Sequence, residues 1–219
     1  MSATSSAPAV PATLADVAER LRAREPARGP APTARDDSDR GPAPPRAAVA
    51  VILRDGPPGV ELLLIKRADH PDDPWSGHIA LPGGREEPSD PSLEATAVRE
   101  TREETGVDLE RDGQLLGPLD ALSPRATPIS VLVQPYVAAI REHRPLVLSD
   151  EVAAAFWVPL ATLAAPGAST ESVVHVRGRE MRVQSFRHGD YVVWGLTERI
   201  IRQLLNVVAP ASRSASSRP

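Results

Sequence analysis

The chain has 219 residues, of which 41% are hydrophobic, so it can hold one domain with tails or two small domains. Its formal net charge of -4 argues against nucleic acid as a partner, and the absence of cysteine excludes disulfides and cysteine-ligated zinc. No apolar run approaches the ~20 residues of a membrane helix, and the N-terminus lacks the blocks of a secretory signal, so we expect a cytoplasmic protein with no membrane partner.

Residues 1–46 are predicted to form one helix and a linker. Thr13 is a candidate N-cap for a helix that ends near Arg24. Its apolar residues recur with helical spacing: Leu14, Val17, Ala18 and Leu21. We expect this stripe to pack on the domain surface rather than to bind a partner. The Pro- and Ala-rich stretch 26–46 is typical of a linker, and residues 1–12 are predicted to be disordered.

Residues 47–208 are predicted to form the main domain. The predicted strands are 47–53, 60–66, 115–122, 129–140, 156–158, 173–176, 181–186 and 191–194, and the predicted helices are 91–105, 159–163 and 196–208. Pro135 is expected at a bulge or on an edge strand, and Pro159 at the first position of its helix. Because strands outnumber helices and come as hairpins, we expect an α+β or α/β/α fold with a mixed sheet. A disordered tail, 209–219, follows.

The helix 91–105 has well-defined ends and follows a Pro82-Gly83-Gly84 turn. Asp90 is a natural N-cap, and Pro91 fits the first helical position, where its missing N–H costs nothing. Gly106 suits the left-handed position that ends a helix.

Three acids of this helix, Glu100, Glu103 and Glu104, share one face because they lie at i, i+3 and i+4. Like charges at that spacing repel each other, and the helix dipole disfavours anions near the C-terminus. Two unfavourable interactions at one place indicate a functional constraint, and a hard divalent cation would relieve both. The alternative is a solvated acidic face, as in most Glu-rich helices.

The turn and the helix together resemble the Nudix box, Gly-x5-Glu-x7-Arg-Glu-aliphatic-x-Glu-Glu-x-Gly-aliphatic. Gly84 matches its first Gly, and the second half is matched in register by Arg99, Glu100, Glu103, Glu104, Gly106 and Val107. Thr101 replaces an aliphatic residue and Asp90 replaces the first Glu, so we assign capping to Asp90 rather than a metal or salt-bridge role. The resemblance implies a Nudix-type α/β/α sandwich that hydrolyses nucleoside diphosphates linked to another group, with Mg²⁺ or Mn²⁺ as cofactor.

The resemblance also implies roles for individual residues. The implied metal ligands are the carbonyl of Gly84 and the carboxylates of Glu100, Glu104 and Glu103, the last of which is alternatively the base. Arg99 orients these carboxylates. Because family members often recruit a Glu from a later loop, Glu151 is the candidate general base, with a solvated loop acid as the equal alternative.

Three further segments resemble the coenzyme A pyrophosphatase branch of the family: residues 62–68, 77–84 and 191–199. The Arg of the branch signature has no counterpart in 72–75, and Leu81 replaces its usual Phe. Arg67 and Arg85 are the candidates to contact the phosphate that the missing Arg would bind.

Four ring-bearing residues are candidates for further contacts with a nucleotide. His78 enters the box and could contact a phosphate, as could His70, although a solvated histidine is the commoner case. Trp75 and Trp194 could stack on an adenine, but we expect Trp194 to lie in the core.

The sequence therefore predicts hydrolysis of coenzyme A, acyl-coenzyme A or a related nucleoside diphosphate derivative. Hydrolysis of ADP-ribose or nucleoside triphosphates is the alternative within the enzymes. A non-catalytic nucleotide-binding regulatory module is the alternative from another class, although the intact acidic set argues against it. The partner is a small nucleotide substrate, and a homodimer is left open.

Overall fold

The computed structural model describes residues 13–24, 44–70, 75–124, 131–141, 144–176 and 178–208. The predicted disorder of 1–12 and 209–219 and most of the predicted linker lie outside the described residues. So do part of the predicted loop 67–77 and the start of the predicted strand 129–140.

The described chain contains four helices and ten strands. The helices are α1 (Leu14–Ala23), α2 (Leu93–Thr105), α3 (Leu160–Ala164) and α4 (Gly195–Val208). The strands are β1 (Arg46–Gly56), β2 (Gly59–Arg67), β3 (Ile79–Ala80), β4 (Gly83–Arg85), β5 (Gly113–Pro118), β6 (Leu132–Ile140), β7 (Val152–Pro159), β8 (Ser169–Val176), β9 (Arg179–His188) and β10 (Tyr191–Trp194). None of the described helices is long and apolar enough to span a bilayer.

Seven strands form a mixed sheet, as predicted. β1 is parallel to β6 and antiparallel to β2 and β4, while β5 is antiparallel to β6. β3 and β7 lie on opposite sides of β2. The remaining strands form a separate antiparallel sheet in the order β10-β9-β8.

The mixed sheet has a core on each face, because successive residues of a strand point to opposite faces. The core under α1 and α4 contains Val51, Leu62, Leu21 and Leu204. The core under α2 contains Ile52, Leu63 and Ala97. Helices thus cover both faces of the sheet, and the predicted α/β/α arrangement is confirmed.

Helix α1 packs on this domain, as expected from its apolar stripe. Val17 and Leu21 belong to the same core as α4, and Thr13 forms a capping box with Asp16. The side chain of Arg20 donates to the carbonyl of Val208 at the end of α4. Helices α1 and α4 therefore cover the same face of the sheet together.

Strands β1 and β2 separate along their length, and this separation creates the site. They pair only from Leu53–Leu62 to the turn, and beyond that point β4 pairs with β1 and β3 with β2. The connection between β3 and β4 thus lies between the two long strands. The Ala50 N–H donates to the Pro82 carbonyl at 2.8 Å, which fixes this connection just before Gly83.

Two predictions about proline are wrong. Pro135 lies in β6, which is flanked by β1 and β5, so it is on no edge, and the irregularity falls in β5 between Leu115 and Gly117. The nitrogen of Pro135, which has no hydrogen to donate, faces the same side of β6 as its carbonyl. That carbonyl accepts the N–H of Leu119, which lies just beyond the end of β5. Pro135 is tolerated because its missing N–H falls where the pairing with β5 has ended. Pro159 is the N-cap of α3 rather than its first residue.

Several strand boundaries also differ from the predictions. β7 and β8 each begin four residues early, at Val152 and Ser169, where the small or polar residues carry no apolar pattern. β5 ends at Pro118, and Leu122 keeps only an isolated bridge to Val133.

Helix α2 contains one buried hydroxyl that has no hydrogen-bond partner, that of Thr101. Such a group costs about 1–3 kcal/mol when it is desolvated, so Thr101→Val should stabilise the fold by about 1 kcal/mol. The free energy of unfolding in urea measures this change.

Thr105→Val is the matched control. Thr105 is equally buried, but its hydroxyl donates to the Thr101 carbonyl at 2.6 Å and accepts from the Val107 N–H. The same replacement there should destabilise the fold by about 1 kcal/mol. Equal effects of the two substitutions would contradict this account of the helix.

Candidate active site

Helix α2 begins two residues later than predicted, because Ser92 and not Asp90 caps it. The Ser92 hydroxyl accepts the backbone N–H three residues on, at 3.1 Å. The carboxylate of Asp90 is occupied by other donors, namely the Glu87 N–H, the Thr96 hydroxyl and the guanidinium of Arg99. The assignment of Asp90 as a cap without a salt bridge is therefore wrong. The predicted left-handed end of the helix at Gly106 is confirmed, with a φ of 72°.

Arg99 is the centre of this polar network. Its Nε and one terminal nitrogen donate to the two carboxylate oxygens of Asp90 at 3.0 and 2.9 Å, a bidentate pair. The same terminal nitrogen donates to the Arg85 carbonyl, and the other donates to Glu100 and Glu103, all at 3.1 Å. Hydrogen bonding by Arg99 holds the pKa of Asp90 well below its usual range. Arg99 thus ties β4 and the loop before α2 to the acidic turn.

Glu104 is the most deeply buried acid of that turn. Its residue is only 4% exposed, and its carboxylate accepts the Gly83 N–H at 2.8 Å. Burial raises the pKa of Glu104 to about 7, the nearby charges of Glu100 and Glu151 add to the rise, and the Gly83 bond and Arg67 oppose it. The site therefore holds a carboxylate whose negative charge is poorly compensated.

Glu100 lies beside Glu104 in a slot that only glycine leaves open. A Cβ at Gly84 would lie closer than 3.0 Å to the Glu100 carboxylate, so any other residue would displace it. Burial is the largest cause that raises the pKa of Glu100, against the opposing charge and hydrogen bond of Arg99. The Pro82-Gly83-Gly84 turn thus contacts the buried Glu104 through the Gly83 N–H and leaves room for the half-buried Glu100 because Gly84 has no side chain.

Glu103 and Glu151 are more exposed than these two acids. Glu103 shares the helical face, as predicted, but its side chain is 58% exposed and turns to Arg99. Glu151 precedes β7, where its carbonyl accepts the Ala68 N–H at 2.8 Å, and its charge acts on both Glu100 and Glu104. In the ranges that the structure describes, no three His, Cys, Asp or Glu side chains converge as a ready metal cluster.

The three predicted substrate contacts lie at different places. Arg67 ends β2, and its charge acts on Glu104. Arg85 offers its carbonyl to Arg99 while its side chain is exposed. The ring of His78 packs edge-on against Trp75 and Trp194, with ring centroids 5.7 and 5.0 Å away. Trp194 is half-buried rather than fully in the core.

Sequence reasoning missed two parts of this site, the anchoring role of Asp90 and the N–H donor of Gly83. Asp90 lies nine residues before Arg99 and outside the helix, so no helical spacing relates the two. Their contact requires the loop before α2 to fold back. The donor at Gly83 is a backbone group, which leaves no trace in the residue pattern.

Comparison with known proteins agrees with this architecture. The model of the NUDIX domain family matches residues 44–175. The uncharacterized Nudix hydrolase NudL of Cronobacter sakazakii is 37% identical over 73% of this chain and 80% of its own length. NudL of Yersinia pestis is 34% identical over 75% of this chain and 80% of its own.

A solved structure shows the same fold at lower identity. The MutT/nudix family protein from Enterococcus faecalis is 22% identical, with a TM-score of 0.54 over 89% of this chain and 69% of its own. The family match and the identity to the curated relatives go further than the fold. The chain belongs to the Nudix family and is a Nudix hydrolase, a pyrophosphohydrolase.

Proposed function

We propose that this enzyme hydrolyses the pyrophosphate bond of coenzyme A, acyl-coenzyme A or a related nucleoside diphosphate derivative, with Mg²⁺ or Mn²⁺ held by α2. The observation that carries the proposal is the burial of the Glu104 carboxylate, which has one backbone N–H as its donor, beside the half-buried Glu100, whose charge Arg99 offsets only in part. Burial of uncompensated charge is costly unless a counter-ion is present. A divalent cation that arrives with the pyrophosphate substrate supplies the missing positive charge.

The residues present fit a hard divalent cation. The donors are carboxylate and carbonyl oxygens, which Mg²⁺ and Mn²⁺ prefer. Glu100 and Glu104 would be the principal ligands, with the carbonyl of Gly84 as a candidate further ligand. Glu103, whose side chain is 58% exposed, would be a further ligand after leaving its one hydrogen bond to Arg99.

When bound, the cation neutralises the phosphates and lowers the pKa of a coordinated water. The residues of the chain hold the carboxylates in position and transfer the proton. Arg99, clamped by Asp90, fixes the helix turn against β4, and the Gly83 N–H holds one oxygen of Glu104. The charge of Glu151 acts on both Glu100 and Glu104, and Glu151 is the candidate general base. Arg67, His78 and Arg85 are the candidate contacts for the rest of the substrate.

Coenzyme A is the first candidate substrate because three segments outside the acidic helix resemble the coenzyme A pyrophosphatase branch. The missing Arg of that signature keeps ADP-ribose and nucleoside triphosphates as the alternative. The intact acids make a purely regulatory nucleotide-binding module the weaker hypothesis. A cytoplasmic location, a homodimer and the boundaries 1–46, 47–208 and 209–219 stay predictions from the sequence.

A substrate panel tests the proposal directly. Coenzyme A, acetyl-coenzyme A, ADP-ribose and ATP are each incubated with the enzyme and with Mg²⁺ or Mn²⁺, and the products are separated by chromatography. We expect metal-dependent cleavage, fastest for coenzyme A or its thioester, because the resembling segments belong to that branch. Faster cleavage of ADP-ribose or ATP would contradict the choice of substrate.

Glu104→Gln is the variant that tests the metal assignment in the same panel. It keeps the size of the side chain and should fold, but turnover should fall by at least about a thousandfold because a principal ligand is lost. Thr105→Val, which alters a buried residue of the same turn without touching the acids, controls for damage to the helix. Near-wild-type turnover by Glu104→Gln would refute the assignment.

The pH dependence of stability tests the burial of Glu104 separately from catalysis. The folded state raises the pKa of this carboxyl from 4.5 to about 7, so the folded state binds the proton more tightly than the unfolded state. Stability of the metal-free protein should therefore fall as pH rises from 4.5 to 7, by up to about 3 kcal/mol from this group. Denaturant unfolding in the presence of a chelator measures it.

Glu104→Gln should lack that part of the pH dependence, and added Mg²⁺ at pH 7 should stabilise the wild type more than the variant. Glu103→Gln changes an exposed carboxylate on the same turn and is the matched control for the pH dependence of stability. Parallel pH curves for wild type and Glu104→Gln would contradict the burial argument.

A further inference from the structure

The connection between β6 and β7 is held against the C-terminal end of α2. The N–H of Val147 donates to the Thr105 carbonyl at 2.9 Å, and the N–H of Ser149 donates to the Glu104 carbonyl at 3.2 Å. Carbonyls of the last helical turn have no partner within a helix, so these two bonds satisfy groups that the helix leaves open. We call residues 146–151 of this connection the docked loop.

Gly106 leaves the space in which the docked loop lies. A Cβ at this position would be 2.9 Å from the Cβ of Val147 and 3.3 Å from its backbone N and O atoms. Val147 is 72% exposed, so its backbone and Cβ make this contact and the rest of its side chain does not. Leu146 anchors the loop by packing against the core under α2. Any other residue at Gly106 would therefore push the loop away from the helix.

The docked loop ends at Glu151, the candidate general base. The Glu151 carbonyl accepts the Ala68 N–H at 2.8 Å, and the next residue, Val152, pairs with Arg67 at the end of β2. The loop is therefore fixed at one end by α2 and at the other by β2. The helix that carries the candidate metal ligands thus also holds, through its last carbonyls, the loop that carries the candidate base.

We propose that Gly106 is a positioning residue for the reaction: by leaving room for Val147, it lets the end of α2 hold Glu151 at a fixed place relative to the acids of the helix. This role goes beyond ending the helix, which a left-handed residue can do without a loop packed on it. A base must lie within hydrogen-bond reach of the water that it deprotonates, and a shift of about 1 Å is enough to slow a reaction. The inference rests on the proposed function, since it takes Glu151 to be the base.

Two glycine substitutions separate this role from backbone strain. Gly106→Ala should lower kcat by at least about tenfold and leave KM nearly unchanged, because the base moves while the contacts with the substrate stay. Gly167→Ala is the matched control, because its φ of 81° is close to the 72° of Gly106 but a Cβ there would meet nothing within 4 Å. It should keep the kcat of the wild type. The Mn²⁺ affinity of both variants should match that of the wild type, since the acids of α2 are unchanged.

Glu151→Gln tests whether the effect of Gly106→Ala passes through the base. Glu151→Gln should lower kcat by about a hundredfold or more, and adding Gly106→Ala should then lower it little further, since a base that is already absent cannot be displaced. Leu146→Ala, which loosens the loop without altering the helix, should show the same non-additivity and serves if Gly106→Ala does not fold. Additive losses, or the kcat of the wild type in Glu151→Gln, would overturn the inference.

Amide hydrogen exchange, followed by NMR, tests the contact without substrate or metal. Gly106→Ala should speed the exchange of the Ala68 amide, because the acceptor of this amide is the Glu151 carbonyl at the end of the displaced loop. The Gly83 amide, which donates to an acid of α2, should exchange as in the wild type. Unchanged exchange at Ala68 would overturn the inference. A wild type that cleaves no compound of the substrate panel would refute the proposed function, and the exchange at Ala68 would still decide whether Gly106 holds the loop in place.

Discussion

The burial of the Glu104 carboxylate against the Gly83 N–H is the constraint on which the site depends. It joins the acidic helix to the turn that precedes it, and it places a negative charge where water is largely excluded. One backbone donor cannot compensate a buried carboxylate, and the neighbouring Glu100 makes the deficit larger. A site with this electrostatic imbalance is suited to a divalent cation and poorly suited to stay without one.

The sheet and the guanidinium of Arg99 make this burial possible. β1 and β2 separate, the β3–β4 connection fills the space between them, and the Gly83-Gly84 backbone is thereby brought to α2. Arg99 then holds the helix in register through Asp90 and the Arg85 carbonyl. Since its charge is shared among Asp90, Glu100 and Glu103, it orders the acids without neutralising all of them. Arg99 therefore determines how the acids are arranged, and the buried charge of Glu104 is the reason that the site favours a cation.

Local patterns predicted much of this arrangement, and tertiary contacts decided the rest. The β1–β2 hairpin, the end of α2 at Gly106 and the shared face of its acids follow from turn residues and helical spacing, which act within a few residues. The cap was misassigned because Asp90 and Ser92 are both good caps, and only the fold reveals that Arg99 takes Asp90. Likewise, Pro135 was placed wrongly because its tolerance depends on where the neighbouring strand ends.

The different exposures of the acids were also beyond the sequence: Glu104 is buried, Glu100 is half-buried, and Glu103 and Glu151 are exposed. Glu100, Glu103 and Glu104 are equivalent in the pattern, but the β3–β4 turn covers only the first and the last.

Direct titration of the metal-free protein with Mn²⁺ tests the central claim most simply, because bound and free Mn²⁺ differ in their electron paramagnetic resonance signal and no substrate is needed. We expect saturable binding by the wild type at neutral pH, an affinity that falls at lower pH as Glu104 takes up its proton, and a loss of affinity of at least about tenfold in Glu104→Gln. Equal Mn²⁺ affinity of the wild type and Glu104→Gln, or no saturable binding by the wild type, would contradict it.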